Sequence, residues 1–257
     1  WSAFFSPDDR SVVISGSQGL QRLPIEADAA AAAGVRFGAS ATLAATGQVE
    51  RVSLDARASR AAYCRFGQAF VADCAAGAEA RLISARGQAL DCAISPDGKL
   101  VAVVHSRGAS MVDAQSRETL REIAASGAES VAFSPTGTWL VIGASDGYQF
   151  WKVEGWQEGH RIARDRPAPG PLAFTADGTL AAMPVLRESR HVVRLLDVAS
   201  GRTLATLERP AARPLWWLCF DHDGSKLALS SGTHTIEIWD LKLIRSQLAE
   251  MGLDWKL

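Results

Sequence analysis

Ala93-Ile-Ser-Pro-Asp-Gly-Lys-Leu100 and Ala132-Phe-Ser-Pro-Thr-Gly-Thr-Trp139 are two copies of one phrase, an apolar run, a turn and a second apolar run. Looser copies are Phe4-Phe-Ser-Pro-Asp-Asp-Arg-Ser11, Ala173-Phe-Thr-Ala-Asp-Gly-Thr-Leu180 and Cys219-Phe-Asp-His-Asp-Gly-Ser-Lys226. Ser53-Leu-Asp-Ala-Arg-Ala-Ser-Arg60 is a decayed sixth copy. The proline slot is filled by Pro7, Ala56, Pro96, Pro135, Ala176 and His222, at steps of 49, 40, 39, 41 and 46 residues. Proline fixes φ near the value that the first central position of a type I turn needs, and Asp and Gly suit the positions after it. Each turn therefore joins two antiparallel strands. A period near forty residues made of strands and tight turns predicts an all-β fold, a β-propeller array. The expectation is six four-stranded blades over residues 1–242, either the whole array or six blades of a seven-bladed ring. Phe5, Leu54, Ile94, Phe133, Phe174 and Phe220 share the column before the turn and are expected to be buried at equivalent points between sheets.

A third strand follows each hairpin and ends in an apolar residue plus, most often, Asp: Leu195-Leu196-Asp197 and Ile238-Trp239-Asp240, with Phe150-Trp151-Lys152 a departure. Aligned on the turn, the apolar column reads Leu23, Ala72, Val112, Trp151, Leu196 and Trp239. The next column reads Pro24, Asp73, Asp113, Lys152, Asp197 and Asp240. This resembles the WD repeat, whose Trp-Asp pair survives intact in Trp239-Asp240. The Gly-His that WD repeats often carry before the first strand does not occupy its slot, because Gly159-His160 lies too far upstream of Phe174. Blade stability is therefore expected from apolar packing between sheets.

Composition agrees with one all-β body: 257 residues, 47% hydrophobic, net charge −1. No apolar run is long enough to cross a membrane, and no Lys/Arg run offers a dedicated nucleic-acid surface. Cys64, Cys74, Cys92 and Cys219 lack metal-ligand spacing and read as small buried hydrophobes. Cys64 and Cys74, on adjacent strands of one blade, are the pair to check for a disulfide. None of the five histidines forms a His-x-His or His-x-x-x-His pair, so no metal site is expected. His222 reads as an exposed turn residue. The Ala29–Ala33 run reads as padding in a first-blade insertion, a helical turn that accounts for the 49-residue step.

Trp1 falls inside a first strand, and the last blade has three strands of its own unless upstream sequence supplies a fourth. After it, Leu241, Ile244, Leu248 and Met251 fall on one face of an amphipathic helix, expected over residues 243–251 within a tail of 243–257. It should lie on the outer edge or lower face of the last blade, with Ile244, Leu248 and Met251 buried. Gly252 should end the helix, with Leu253 folding back. Trp239-Asp-Leu-Lys-Leu-Ile-Arg-Ser-Gln-Leu-Ala-Glu-Met-Gly-Leu-Asp-Trp255 resembles the C-terminal tail of bacterial proteins that join a Hanks-type serine/threonine kinase to WD repeats. Gly19-Leu-Gln-Arg-Leu-Pro-Ile25 resembles a recurring repeat of the same family. The resemblance implies a C-terminal sensing or scaffold region covalently linked to an upstream catalytic domain. Its location would be cytoplasmic, or extracytoplasmic on a membrane-anchored parent. No Gly-rich phosphate loop, His-Arg-Asp or Asp-Phe-Gly occurs in this chain.

The candidate surface is the face bearing the loops between second and third strands and the entrances of the first strands. Its loops carry Arg65, His105, Arg107, Asp146, Arg187, Arg190, His191 and His234, and its entrances include Leu90, Asp91, Glu129, Trp216 and Trp217. Arginine and tryptophan dominate protein–protein hot spots, so Trp217, Arg190, Arg187, Arg107, Arg65 and Trp216 are the candidate partner-binding residues. Strand alternation allows one of Trp216 and Trp217 to be buried while the other is exposed. The expected function is a non-catalytic interaction module with protein partners, without cofactor, nucleic acid or membrane contact. The alternative is a small-ligand-binding or hydrolytic propeller, recognisable by carboxylates and histidines converging on its channel mouth.

Overall fold

The computed structural model describes residues 2–44, 47–49, 51–75, 77–83, 87–163, 172–187, 190–208, 215–231 and 235–255. Six antiparallel sheets succeed one another along the chain. The first holds β1 (Ala3–Phe5), β2 (Ser11–Gly16) and β3 (Gly19–Ala27), with β4 (Val35–Phe37) and β5 (Ala41–Ala44) both paired to β3. The second holds β6 (Arg51–Leu54), β7 (Arg60–Arg65), β8 (Gln68–Asp73) and β9 (Arg81–Ile83). In the third are β10 (Asp91–Ile94), β11 (Leu100–His105), β12 (Gly108–Asp113) and β13 (Thr119–Ala124). The fourth comprises β14 (Ser130–Phe133), β15 (Trp139–Ala144), β16 (Gly147–Lys152) and β17 (Gln157–Ala163). The fifth comprises β18 (Ala173–Phe174), β19 (Leu180–Arg187), β20 (Arg190–Asp197) and β21 (Thr203–Glu208). The sixth has β22 (Leu215–Phe220), β23 (Lys226–Ser231) and β24 (Thr235–Asp240), and α1 (Leu241–Glu250) follows directly. These are the six blades of a β-propeller, and the chain forms two compact units, Trp1–Phe133 and Ser134–Leu257.

The six turns between first and second strands share one hydrogen-bond template. In the third blade the Ser95 hydroxyl donates to Asp97 at 2.6 Å and accepts the Leu100 N–H at 2.9 Å, while Asp97 accepts the Lys99 N–H at 3.1 Å. Ser6 with Asp8, and Thr175 with Asp177, repeat it. In the decayed copy Asp55 does both jobs, accepting the N–H groups of Ser59 and Arg60 and the Ser59 hydroxyl. The fourth turn position has positive φ throughout: 72° at Gly98 and Gly137, 70° at Gly178, 69° at Gly224, but 55° at Asp9 and 49° at Ala58. The repeat thus survives the loss of its proline and its glycine because a short polar side chain still satisfies the turn's backbone.

Each unit has its own cores. In the first, Val13 and Leu20 pack with Val52 and Tyr63, and Val71, Ile83, Ile94 and Val101 form a second cluster. In the second, Trp139, Tyr148 and Phe150 pack with Met183 and Val192, while Leu195, Leu215, Leu218 and Leu229 form a further cluster with Leu241 and Trp255. The column before the turn is not uniform. Ile94 and Phe133 are buried and Leu54, Phe174 and Phe220 are half-buried, but Phe5 is 67% exposed. In the three-residue β1, alternation puts Phe4 rather than Phe5 against the core. The first-blade insertion is also not helical: β3 runs on to Ala27, and a turn over residues 28–34 returns the chain as β4.

One cysteine expectation is corrected, and the pair to check is two free, buried thiols. Cys219 is exposed, and Cys64 and Cys74 belong to different clusters because they sit at opposite ends of the β7–β8 ladder. The thiol beside Cys64 is that of Cys92; their hydrogen bond, with burial, holds the Cys92 pKa well above the usual thiol range.

The tail helix starts at Leu241, the first residue of the apolar stripe and two before the expected 243, because the Asp240 carboxylate caps it by accepting the Leu243 N–H at 2.9 Å. Gly252, at φ 71°, ends it as expected: the Leu253 N–H reaches the Leu248 carbonyl and the Gly252 N–H the Ala249 carbonyl. Leu241 is buried, and Ile244 and Leu248 are half-buried against the last core cluster, but Met251 and Leu253 are exposed. Trp255 takes the buried place instead, with the Arg245 guanidinium 5.4 Å from its ring and doubly bonded to Asp254 at 3.0 Å. No described helix is long and apolar enough to cross a membrane.

Candidate functional site

The candidate residues arise where the ladder between second and third strands closes, and at the starts of the first strands. In the first unit, two-residue tips close the hairpins Arg65↔Gln68 and His105↔Gly108. Gly108 permits the second closure: a Cβ there would lie 1.9 Å from the Ile123 carbonyl oxygen of the neighbouring strand, at φ 151°. These tips present Arg65, half-buried, and Arg107, exposed. Between them runs the segment 87–90, whose Ala89 N–H donates to the Gly67 carbonyl at 2.8 Å and whose Leu90 N–H donates to Val104 at 2.8 Å.

His105 is not a loop residue but the buried end of β11. Its Nδ1 accepts the Arg107 N–H at 3.3 Å, and its Nε2 stands 3.6 Å from Glu122. Asp91 is buried as well. Its Oδ1 accepts the Cys92 N–H at 3.0 Å, and its Oδ2 accepts the Val131 N–H at 3.1 Å, tying β10 to β14. Arg51 stands 3.8 Å away. Burial pushes the Asp91 carboxyl up to about 6, against the opposing pull of Arg51 and the two N–H donors. The carboxylate that sequence alignment put at an entrance is thus a strand-to-strand tie.

In the second unit Trp217 is 43% exposed on β22, flanked by buried Leu215 and Leu218. Trp217 and Cys219 are exposed while Leu218 between them is buried, so ordinary alternation puts the indole on the outer side of the strand; a register shift against β23 lies between Leu215 and Trp217. The backbones of Arg187 and Arg190 pair at the end of the β19–β20 ladder. The side chains of Arg187, Arg190 and Trp216 lie outside the described residues, as do Trp1 and His234. Leu186 pairs with His191 one step further down the ladder.

Reading the sequence for arginine and tryptophan misses Phe66. It occupies the Arg65–Gln68 tip at φ 49°, is 72% exposed, and has the Arg65 guanidinium 5.3 Å from its ring. A signal exists in the chain: an aromatic residue between Arg and Gly at an expected tip, where Asn or Ser is usual.

Two clefts open instead beside the Ser-Pro-Asp-Gly turns. One of about 650 Å³ is lined by Asp55, Arg57, Arg60 and Asp97. Another of about 400 Å³ is lined by Asp177, His222, Asp223, Lys242 and Trp255. Their carboxylates are already committed: Asp177 accepts from Thr175 and Thr179, which hold it below the usual range, and Asp223 accepts from Lys242 and Ser225. Among the described residues no group of three or more His, Cys, Asp or Glu side chains is placed to hold a metal ion.

Comparison with known proteins gives the same class. Residues 118–148 match the WD domain, G-beta repeat. Over 104 residues the chain is 28% identical to autophagy-related protein 18 of Schizosaccharomyces pombe, covering 40% of this chain and 27% of that protein. It therefore spans about a quarter of that relative's length. Kuenenia stuttgartiensis hydrazine synthase superposes with a TM-score of 0.72 at 18% identity, over 98% of this chain and 80% of the solved one. At that identity the likeness concerns the fold alone. The chain is a β-propeller carrying a WD repeat.

Proposed function

We propose that this chain is a non-catalytic interaction and sensing scaffold that binds a protein partner through its loop-bearing face. The observation that carries the reading is Trp217, a large indole 43% exposed on the outer side of β22 while its neighbour Leu218 packs in the adjacent core. A half-exposed Trp with arginines near by in sequence is the composition of a hot spot, where truncation costs about 2 kcal/mol or more of binding. The fold supports the reading because WD-type propellers present rigid loop faces, though a fold alone never assigns a function. The finer part of the proposal rests on the tail: its likeness to kinase–WD-repeat fusions makes this the C-terminal region of a signalling protein with an upstream serine/threonine kinase domain.

The test pairs thermal melting with pull-down, using Trp217→Ala, Arg190→Ala and the unaltered chain. Both variants are expected to keep their melting temperature and lose partner recovery by about thirtyfold in affinity. Undiminished recovery with both variants folded overturns the reading. A collapsed melting temperature for Trp217→Ala would return that indole to the core.

A further inference from the structure

We infer that the hairpin tips of the second and third blades form a docking site for an acidic peptide segment with one apolar anchor residue. Phe66 and Leu90 receive the anchor, and Arg65 and Arg107 pair with the carboxylates beside it. The inference rests on the interaction-module reading above and adds to it a site in the first unit, separate from Trp217, with the chemistry of what that site takes.

Phe66 carries the argument. The Arg65–Gln68 hairpin is closed by Phe66 and Gly67, at φ 49° and 71°. That mirror-image turn favours Asn-Gly, and a bulky side chain at positive φ is strained. The corresponding tips Ser17-Gln18, Ser106-Arg107 and Ser145-Asp146 close the same hairpin with no aromatic residue. Nor does the ring repay its strain by packing, because it is 72% exposed. A strained, solvent-facing aromatic that the fold does not use is the kind of outlier that marks a working surface.

The surroundings supply the partner's chemistry. The segment 87–90 lies against the same tip: Gln88 is the side chain a Cβ on Gly67 would meet, and Gly67 accepts the Ala89 N–H. Leu90, 38% exposed, is the next residue after Ala89, whose N–H Gly67 holds. A Cβ added to Gly87 would lie 3.9 Å from the His105 Cβ, so the segment spans from one tip to the base of the next, which carries Arg107. Neither Arg65 nor Arg107 has a carboxylate partner among the described residues, and the Arg65 Nε is buried without a hydrogen bond. Two exposed apolar side chains on neighbouring segments, with two guanidinium groups that have no carboxylate partner among the described residues, suit an apolar anchor flanked by Asp or Glu, since guanidinium pairs bidentately with carboxylate. Anionic membranes and nucleic acids need a broader cationic field than two arginines on a chain of net charge −1.

The experiment selects short displayed peptides on the whole chain from two libraries, with Asp/Glu or with Lys/Arg around a fixed Leu, Phe or Trp. Selected peptides are then titrated against the unaltered chain, Phe66→Gly, the Arg65→Gln/Arg107→Gln pair and Trp217→Ala. Acidic peptides are expected to emerge, with Phe66→Gly weakening them about thirtyfold, a hot-spot-sized loss. The same variant should melt at an unchanged or higher temperature, because glycine accepts the positive φ. The arginine pair should weaken binding about tenfold or more and flatten its salt dependence. Trp217→Ala should change nothing. Acidic peptides insensitive to Phe66→Gly but lost with Trp217→Ala overturn this site and leave the interaction reading standing. Failure of both libraries overturns this site, and the pull-down with Trp217→Ala and Arg190→Ala decides the interaction reading separately. Selection of basic peptides overturns the partner assigned here, as does Phe66-dependent capture of phosphatidylserine vesicles without peptide binding.

Discussion

The third and sixth blades start from the same repeat and finish differently. In the third, Asp113 accepts the N–H groups of Gln115 and Ser116, at 2.9 and 2.7 Å, and the chain turns back as β13. In the sixth, the residue in the same column, Asp240, accepts the Leu243 N–H and the chain leaves as α1. The carboxylate does one job in both, satisfying the first free N–H groups after a strand, and the residues beyond it decide whether a turn or a helix results. The consequence falls on the third strand. β12, covered by β13, is buried up to its last residue. β24 has no further described strand beside it, and Ile236 and Ile238 stand 70% and 66% exposed. The helix reaches β23 and the core at the strand ends, so it seals the end of the last blade rather than its edge.

A second slot separates the same two blades. Five residues before the proline slot, the third blade has buried Asp91 and the sixth has exposed Trp217. Asp91 gives the larger test of the difference. Its folded pKa, about 6, lies above the ordinary 3.8, so the fold holds this proton more tightly than the unfolded chain does. Its favourable contribution is present below about pH 4 and is lost as pH rises through 6, on the order of 2–3 kcal/mol. Asp91→Asn removes that dependence. Urea unfolding of both proteins from pH 4 to 7 should show the variant gaining on the parent as pH rises, and parallel curves would refute the tie's desolvation.

The capping column gives the next effect. Asp240→Ala should cost about 1 kcal/mol, the usual worth of a helix N-cap, and Asp113→Ala a similar amount. The difference lies in what is lost. Helical ellipticity should fall with Asp240→Ala only, and amide protection across β12 and β13 with Asp113→Ala only. Equal loss of both signals in both variants would mean that the blades do not respond separately.

The smallest stability effect belongs to the open strand. Ile238→Lys on β24 should change unfolding free energy by less than about 0.5 kcal/mol, as exposed positions do. It should nevertheless lower self-association at high concentration, because a lysine on an exposed edge discourages strand pairing. Light scattering that is unchanged beside a lowered midpoint would show Ile238 to be a packing residue.

Much of this architecture is legible in the chain. The turn spacing marks the six blades because the turn's polar atoms satisfy backbone groups within six residues, and such local bonding leaves its mark directly on sequence. Asp55 shows how far that goes: even a copy without proline or glycine keeps a short polar side chain that accepts the turn's N–H groups, as the Ser134 and Thr136 hydroxyls do in the fourth blade. The helix is legible for the same reason, and its start at Leu241 is set by the Asp240 cap. The candidate face is half legible. Arg107 lies on the tip where turn alignment puts it, but Arg65 is the last residue of β7 and Trp217 the third of β22, and Phe66 escapes the alignment because exposure and positive φ are not compositional properties.

What only the tertiary structure decided is which side of a strand meets a neighbour. Phe5 and Phe133 share a column, yet one is exposed and the other buried, because burial depends on the sheet packed against that face. Asp91 and Trp217 share a slot, but the indole stands on the uncovered side of β22 while a neighbouring strand's N–H holds the carboxylate inward. Local hydrogen bonding is written in adjacent residues; packing between sheets joins residues some forty positions apart, and a period of two along a strand says only that faces alternate, not which one is covered.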